Sequence, residues 1–125
     1  MFPLLKVGAF ALLFATGTNS PVEMRMLVEE ALQGSPNKTE IMQVIECESG
    51  FDALTQSQHK DPKGPNGLEN SWGLVQINLD WNPDVTLTEA LDWRYSLEFI
   101  KRKFATGKKS MWTCWREQQT AYGRN

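Results

Sequence analysis

The chain is poor in the residues that build metal centres. Among 125 residues there is one histidine, His59, and there are two cysteines, Cys47 and Cys114. Zinc sites draw on three or four such ligands, so no metal is expected, and no cofactor is implied. A basic excess is also missing. The formal net charge is −2, without the positive footprint of a nucleic-acid binder, so no nucleic-acid partner is expected. Long apolar runs are absent outside the N-terminus. The run there, Val7–Ala15, follows Lys6 and gives way to Thr16, Gly17, Thr18, Asn19 and Ser20. It falls short of the ~20 residues of a membrane span. Its order is that of a secretory signal peptide, with Ala15 and Gly17 as the small residues before a cut. Residues 1–17 are read as a signal peptide or, if uncut, an N-terminal anchor or a buried helix. No other membrane contact is expected.

What remains suits one domain. Hydrophobic residues make up 41% and charged residues 22%, a globular rather than a disordered composition. No internal repeat or second domain is visible, and a monomer is expected. An exported chain enters an oxidising compartment, where Cys47 and Cys114 pair or stay as buried thiols. A bridge between them would contribute about 4 kcal/mol in the chain-entropy account.

Local signals lay out mainly helices. Ser20, Pro21 and Glu23 form a capping box with proline at the first helical position, and Gly34 is the expected stop. A second helix is expected from Asn37 or Thr39, with Asn37 and Glu40 at capping spacing and Gly50 as its end. Residues 52–70 have no period, and Asp61–Gly67 is turn chemistry. Loops of that length in compact domains are usually functional or disordered. Ser71–Asn78 reads as a short strand or hairpin in which Gly73 permits a close backbone approach. Alternation would put Trp72, Leu74 and Gln76 on one face. Thr86 and Glu89 open a third helix with an inward stripe of Trp93, Leu97, Ile100 and Phe104, ended by Gly107. The domain is placed at 20–116, followed by a polar tail at 117–125. Lys101, Arg102, Lys103, Lys108 and Lys109 cluster near a helix end, where positive charge is ordinary.

Glu48 stands out within this frame. It follows Ile41 by seven residues and Val44 by four, so it shares the apolar face of its helix. Burial there favours the protonated carboxyl, and the negative end of the helix dipole acts in the same direction. A glutamic acid kept protonated near neutral pH is what glycosidic cleavage requires. The alternative is a solvated glutamate at a frayed helix end.

Cys47-Glu48-Ser49-Gly50-Phe51 resembles the E-S-x-F motif of soluble lytic transglycosylases, and Gly73-Leu74-Val75-Gln76 resembles their G-L-x-Q segment. Trp72–Asn78 also resembles the Y-G-I-x-Q-I-N segment of animal-type lysozymes. Resuscitation-promoting factors share a C-E-S-G run and a late tryptophan–cysteine segment with bridged cysteines, matched by Cys47 and Trp112-Thr113-Cys114. Together these resemblances span roughly residues 38–115. They imply a lysozyme-like α+β fold, predominantly helical, with a long active-site loop. They also imply a Cys47–Cys114 bridge, Glu48 as catalytic acid, and Ser49 and Gln76 beside the substrate.

Ser71 stands where animal-type lysozymes carry an aspartate. Two-carboxylate hydrolases need a second carboxyl at a set separation; the sequence offers Glu69, Asp61 and Asp80 without placing any of them. The substitution suits transglycosylases, which use one acid/base glutamate and an internal sugar hydroxyl, although their late A-Y-N-x-G segment has no evident match. The expected substrate-binding set is Ser49, Ser71, Trp72 and Gln76, with Trp72 as a sugar platform. Trp81 stays open between platform and core, and Trp93 is assigned to the core. The expected activity is cleavage of the β-1,4 bond between N-acetylmuramic acid and N-acetylglucosamine by an exported transglycosylase. A peptidoglycan-hydrolysing lysozyme and a non-catalytic glycan-binding module are the alternatives.

Overall fold

The computed structural model describes the backbone of residues 19–123 and side chains as far as Thr120. The leader assigned to 1–17 lies outside these residues. The fold is α+β, with five α-helices and one two-stranded antiparallel sheet among the described residues. None of these helices is long and apolar enough to cross a membrane.

Helix α1, Pro21–Ala31, starts with the capping box read from sequence. Ser20 Oγ accepts from the Glu23 amide at 3.2 Å, and Glu23 Oε1 accepts from the Ser20 amide at 3.2 Å. The helix buries Met24 and Val28 and ends before Gly34, which takes φ 77° in the following turn. Helix α2, Lys38–Ser49, buries Ile41, Val44 and Ile45 and stops at left-handed Gly50, as expected. The anticipated Asn37–Glu40 box does not form. Asn37 makes no side-chain cap. Glu40 instead accepts from Lys109 Nζ at 3.0 Å and Trp115 Nε1 at 2.8 Å. Two charge-assisted bonds to distant partners outcompete a local cap.

The loop after α2 is ordered by its own polar groups. Asp52 and Asp61 accept from the amides two residues ahead. Gln56 Nε2 donates to Pro65 O and Glu69 O. Isolated bridges join Gln56 to Trp72 and Lys60 to Leu68. Side-chain turns of this kind replace the hydrophobic period that the segment lacks.

Ser71–Asn78 is a hairpin, and the expected alternation fails there. Strand β1, Ser71–Trp72, pairs with β2, Ile77–Asn78, in the register Ser71–Asn78 and Trp72–Ile77. Between them Gly73 has φ 84° and Gln76 φ 55°. The chain turns, so the adjacent Leu74 and Val75 are both fully buried. Gly73 is required in this turn. A Cβ there would lie 1.9 Å from Ala90 O.

The expected third helix is two helices. Thr86 and Glu89 form their box at the start of α3, Leu87–Ala90. Asp92 then caps α4, Trp93–Ala105, by accepting from the Arg94 amide at 3.0 Å. Buried Ser96 donates to Ala90 O at 3.0 Å across the break. Leu97, Ile100 and Phe104 are buried as predicted, joined by Phe99, while Trp93 packs half-buried against the core.

Helix α5, Thr113–Gly123, runs on through the segment read as a polar tail. The Cys47–Cys114 disulfide ties it to α2. Trp112 leads into it, packing edge-on against Phe99 and Phe104 and donating from its buried indole to Val75 O at 2.8 Å. One tryptophan thereby joins α4, α5 and the hairpin.

Candidate active site

Glu48 lies in the last turn of α2, half-buried. Its pKa is raised from 4.5 to about 7. Burial is the first cause. The negative charges of Glu69 and Glu117 follow, and Arg116 opposes them. Among the three acidic candidates left open by the sequence, Glu69 is thus the one whose charge reaches Glu48. The Asp61 carboxylate accepts from the Lys63 amide within a local turn, and that of Asp80 from Asn70 Nδ2 across the base of the hairpin.

The side chains expected to bind substrate hold the site together from within. Ser49 Oγ lies 2.6 Å from Leu74 O and 3.2 Å from Ile45 O. With one proton it donates to the nearer carbonyl, locking the end of α2 to the hairpin turn. Ser71 is only 2% exposed, and its hydroxyl donates to Glu69 Oε1 at 2.7 Å. It orients the carboxylate that acts on Glu48. Gln76 spends its amide protons on Thr55 O at 3.0 Å and Gly73 O at 2.9 Å, pinning the loop to the hairpin. Such bonds satisfy the polar groups of a turn shielded from water.

Trp72 is half-buried against the core, with its indole N–H donated to Asn70 Oδ1 at 2.8 Å. The exposed indole is that of Trp81, at 83%. Asn78 Oδ1 accepts from the Asp80 and Trp81 amides and fixes the turn just beyond β2. An apolar ring left in water beside an ordered turn suits a stacking platform.

Two neighbours of Glu48 had no local signal in the sequence. Arg116 and Glu117 belong to α5, and only the closure of α5 onto α2 brings their charges to bear. Cys114 Sγ lies 3.3 Å from Glu48 Oε1. A bridged sulfur carries no hydrogen, so it contacts the carboxyl as an acceptor only.

Among the described residues no group of histidine, cysteine, aspartate and glutamate is arranged to hold a metal ion. The chemistry within reach is proton transfer from one half-buried carboxyl, with a second carboxylate in electrostatic contact. Compared with family models, curated proteins and solved structures, the chain matches none of them.

Proposed function

We propose that the protein is an exported lytic transglycosylase of lysozyme-like fold that acts, as a monomer, on peptidoglycan strands. Its target is the β-1,4 bond between N-acetylmuramic acid and N-acetylglucosamine. The observation that carries this reading is Glu48, a half-buried carboxyl held protonated to about pH 7 beside a polar hairpin and loop. In the reaction Glu48 gives its proton to the leaving glycosidic oxygen as the anomeric carbon–oxygen bond breaks. The resulting carboxylate takes the proton of the muramic acid 6-hydroxyl, whose oxygen closes on the anomeric carbon. The proton count balances, and the internal nucleophile removes the need to position a water. Trp81 supplies an aromatic face for a sugar ring. The bridge between Cys47 and Cys114 suits an oxidising compartment.

A second outcome is favoured by one observation. Glu69, oriented by Ser71, acts electrostatically on Glu48. If it instead activates a water, the product is that of hydrolysis by two carboxylates.

Mass spectrometry of soluble products after incubation with peptidoglycan, with Glu48→Gln in parallel, separates these readings. Anhydro-muropeptides from the wild type alone are expected. Reducing-end muropeptides would replace transglycosylation by hydrolysis. Saturable binding without product, unchanged in Glu48→Gln, would replace enzyme by glycan-binding module.

A further inference from the structure

The Cys47–Cys114 bridge ends against the carboxyl on which the proposed function rests. Cys114 is buried, while Cys47, next to Glu48 in the chain, is exposed. The bridge thus joins an exposed residue to a buried one that touches Glu48. Cys114 Sγ stands 3.3 Å from Glu48 Oε1. Trp112, two residues before Cys114, is anchored to Val75 O, and Ser49, the residue after Glu48, is anchored to Leu74 O. The segments that carry sulfur and carboxyl are therefore both anchored to the same hairpin turn.

We propose that Cys114 is a positioning residue for Glu48, its bridged sulfur accepting the carboxyl proton, and that reducing the bridge turns this sulfur into a donor that favours the carboxylate. In the bridged state the sulfur has lone pairs and no proton. It accepts weakly from Glu48 as an acid and offers nothing to Glu48 as a carboxylate. In the dithiol state Cys114 gains an S–H able to donate to the neighbouring carboxylate, and a hydrogen bond to the charged form lowers a carboxyl pKa. Loss of the staple also lets water reach the site, which acts in the same direction. The other charges facing Glu48 are those of Glu69, Glu117 and Arg116. The device makes the acid dependent on the redox state of its surroundings.

The reductive step is ordinary thiol–disulfide exchange. One thiolate of an external dithiol attacks Cys47 Sγ, and Cys114 leaves as a thiolate that takes up a proton. The second thiol of the reductant displaces Cys47 and closes as a cyclic disulfide. Two electrons pass from the dithiol to the bridge, and two protein thiols result.

The test follows the Glu48 Cδ and Cys114 Cβ carbon shifts from pH 4 to 9 in the intact oxidised protein. Both are expected to move with one midpoint near 7, and the Cys114 shift is expected to be flat in Glu48→Gln. A flat Cys114 shift while wild-type Glu48 titrates would overturn the proposal. Dithiothreitol then gives the dithiol form, with circular dichroism reporting its fold. Where the reduced chain stays folded, the Glu48 midpoint is expected to fall by about one pH unit, a tenfold change in acid dissociation. At pH 7 the protonated fraction drops from about half to about a tenth. An unchanged midpoint in a folded dithiol form would also overturn the proposal. Where reduction unfolds the chain, the oxidised-state titration decides alone. Neither readout needs a glycan, so loss of the transglycosylase reading leaves this result standing, and the reverse holds.

Discussion

Replacing Glu48 by glutamine removes a charge that the fold resists, and the effect on stability has a defined pH dependence. In the folded chain Glu48 titrates near 7 against 4.5 for the free group. Between those values the folded state holds a proton that the unfolded state has lost. Wild-type stability therefore falls as pH rises from about 4.5 to 7 and levels off above. At 1.36 kcal/mol per pKa unit the full effect is about 3 kcal/mol. Solvent at the open side of this half-buried group reduces it to about 2 kcal/mol. Glutamine keeps the shape and never ionises. Glu48→Gln is thus expected to match the wild type at pH 4 and to exceed it by about 2 kcal/mol at pH 8. That corresponds to a rise in Tm on the order of 10 °C. Urea unfolding of both proteins across pH 4–8, at fixed ionic strength and with the bridge intact, checks it. A difference independent of pH would refute the reasoning, and so would a glutamine variant less stable at pH 8.

Three further outcomes follow from the same contacts. Glu69→Gln removes the negative charge that acts most strongly on Glu48, so a carbon NMR titration should find the Glu48 midpoint displaced to lower pH. Gly73→Ala puts a methyl against Ala90 O in a left-handed turn. The cost should be about 2–3 kcal/mol in urea unfolding, with the Glu48 midpoint disturbed because Ser49, next to it in the chain, is tied to this turn at Leu74 O. Trp81→Ala should leave Tm unchanged, since the ring is 83% exposed. It should weaken binding to peptidoglycan several-fold in a pull-down titration, by loss of about 1 kcal/mol of stacking.

Much of the helical layout was legible because its signals are local. The boxes at Ser20–Glu23 and Thr86–Glu89 need only four consecutive residues, and both form. Asn37–Glu40 has the same spacing and fails, because Lys109 and Trp115 arrive from far along the chain and take the carboxylate. The break between α3 and α4 carried a weak signal in Asp92, which also had a place as an ordinary helical residue until its cap formed. Alternation misread the hairpin because two positive-φ residues turn the backbone between Gly73 and Gln76. Periodicity placed Glu48 on the buried face of its helix, and it lies there. Ser49, Ser71 and Gln76 were singled out as contacts for a sugar. Their roles as internal ties depend on Leu74, Glu69 and Thr55, which no spacing rule connects to them. Glu69 could not be told from Asp61 or Asp80 by sequence, since their difference is one of direction in space.

The central claim is that Glu48 supplies the proton for glycan cleavage. The most direct measurement is the rate of muropeptide release by the oxidised protein between pH 5 and 9. The rate is expected to fall tenfold per pH unit above a midpoint near 7, as the acid is lost, and to be abolished at every pH in Glu48→Gln. A rate that stays level through pH 9, or a glutamine variant that still releases products, would contradict it.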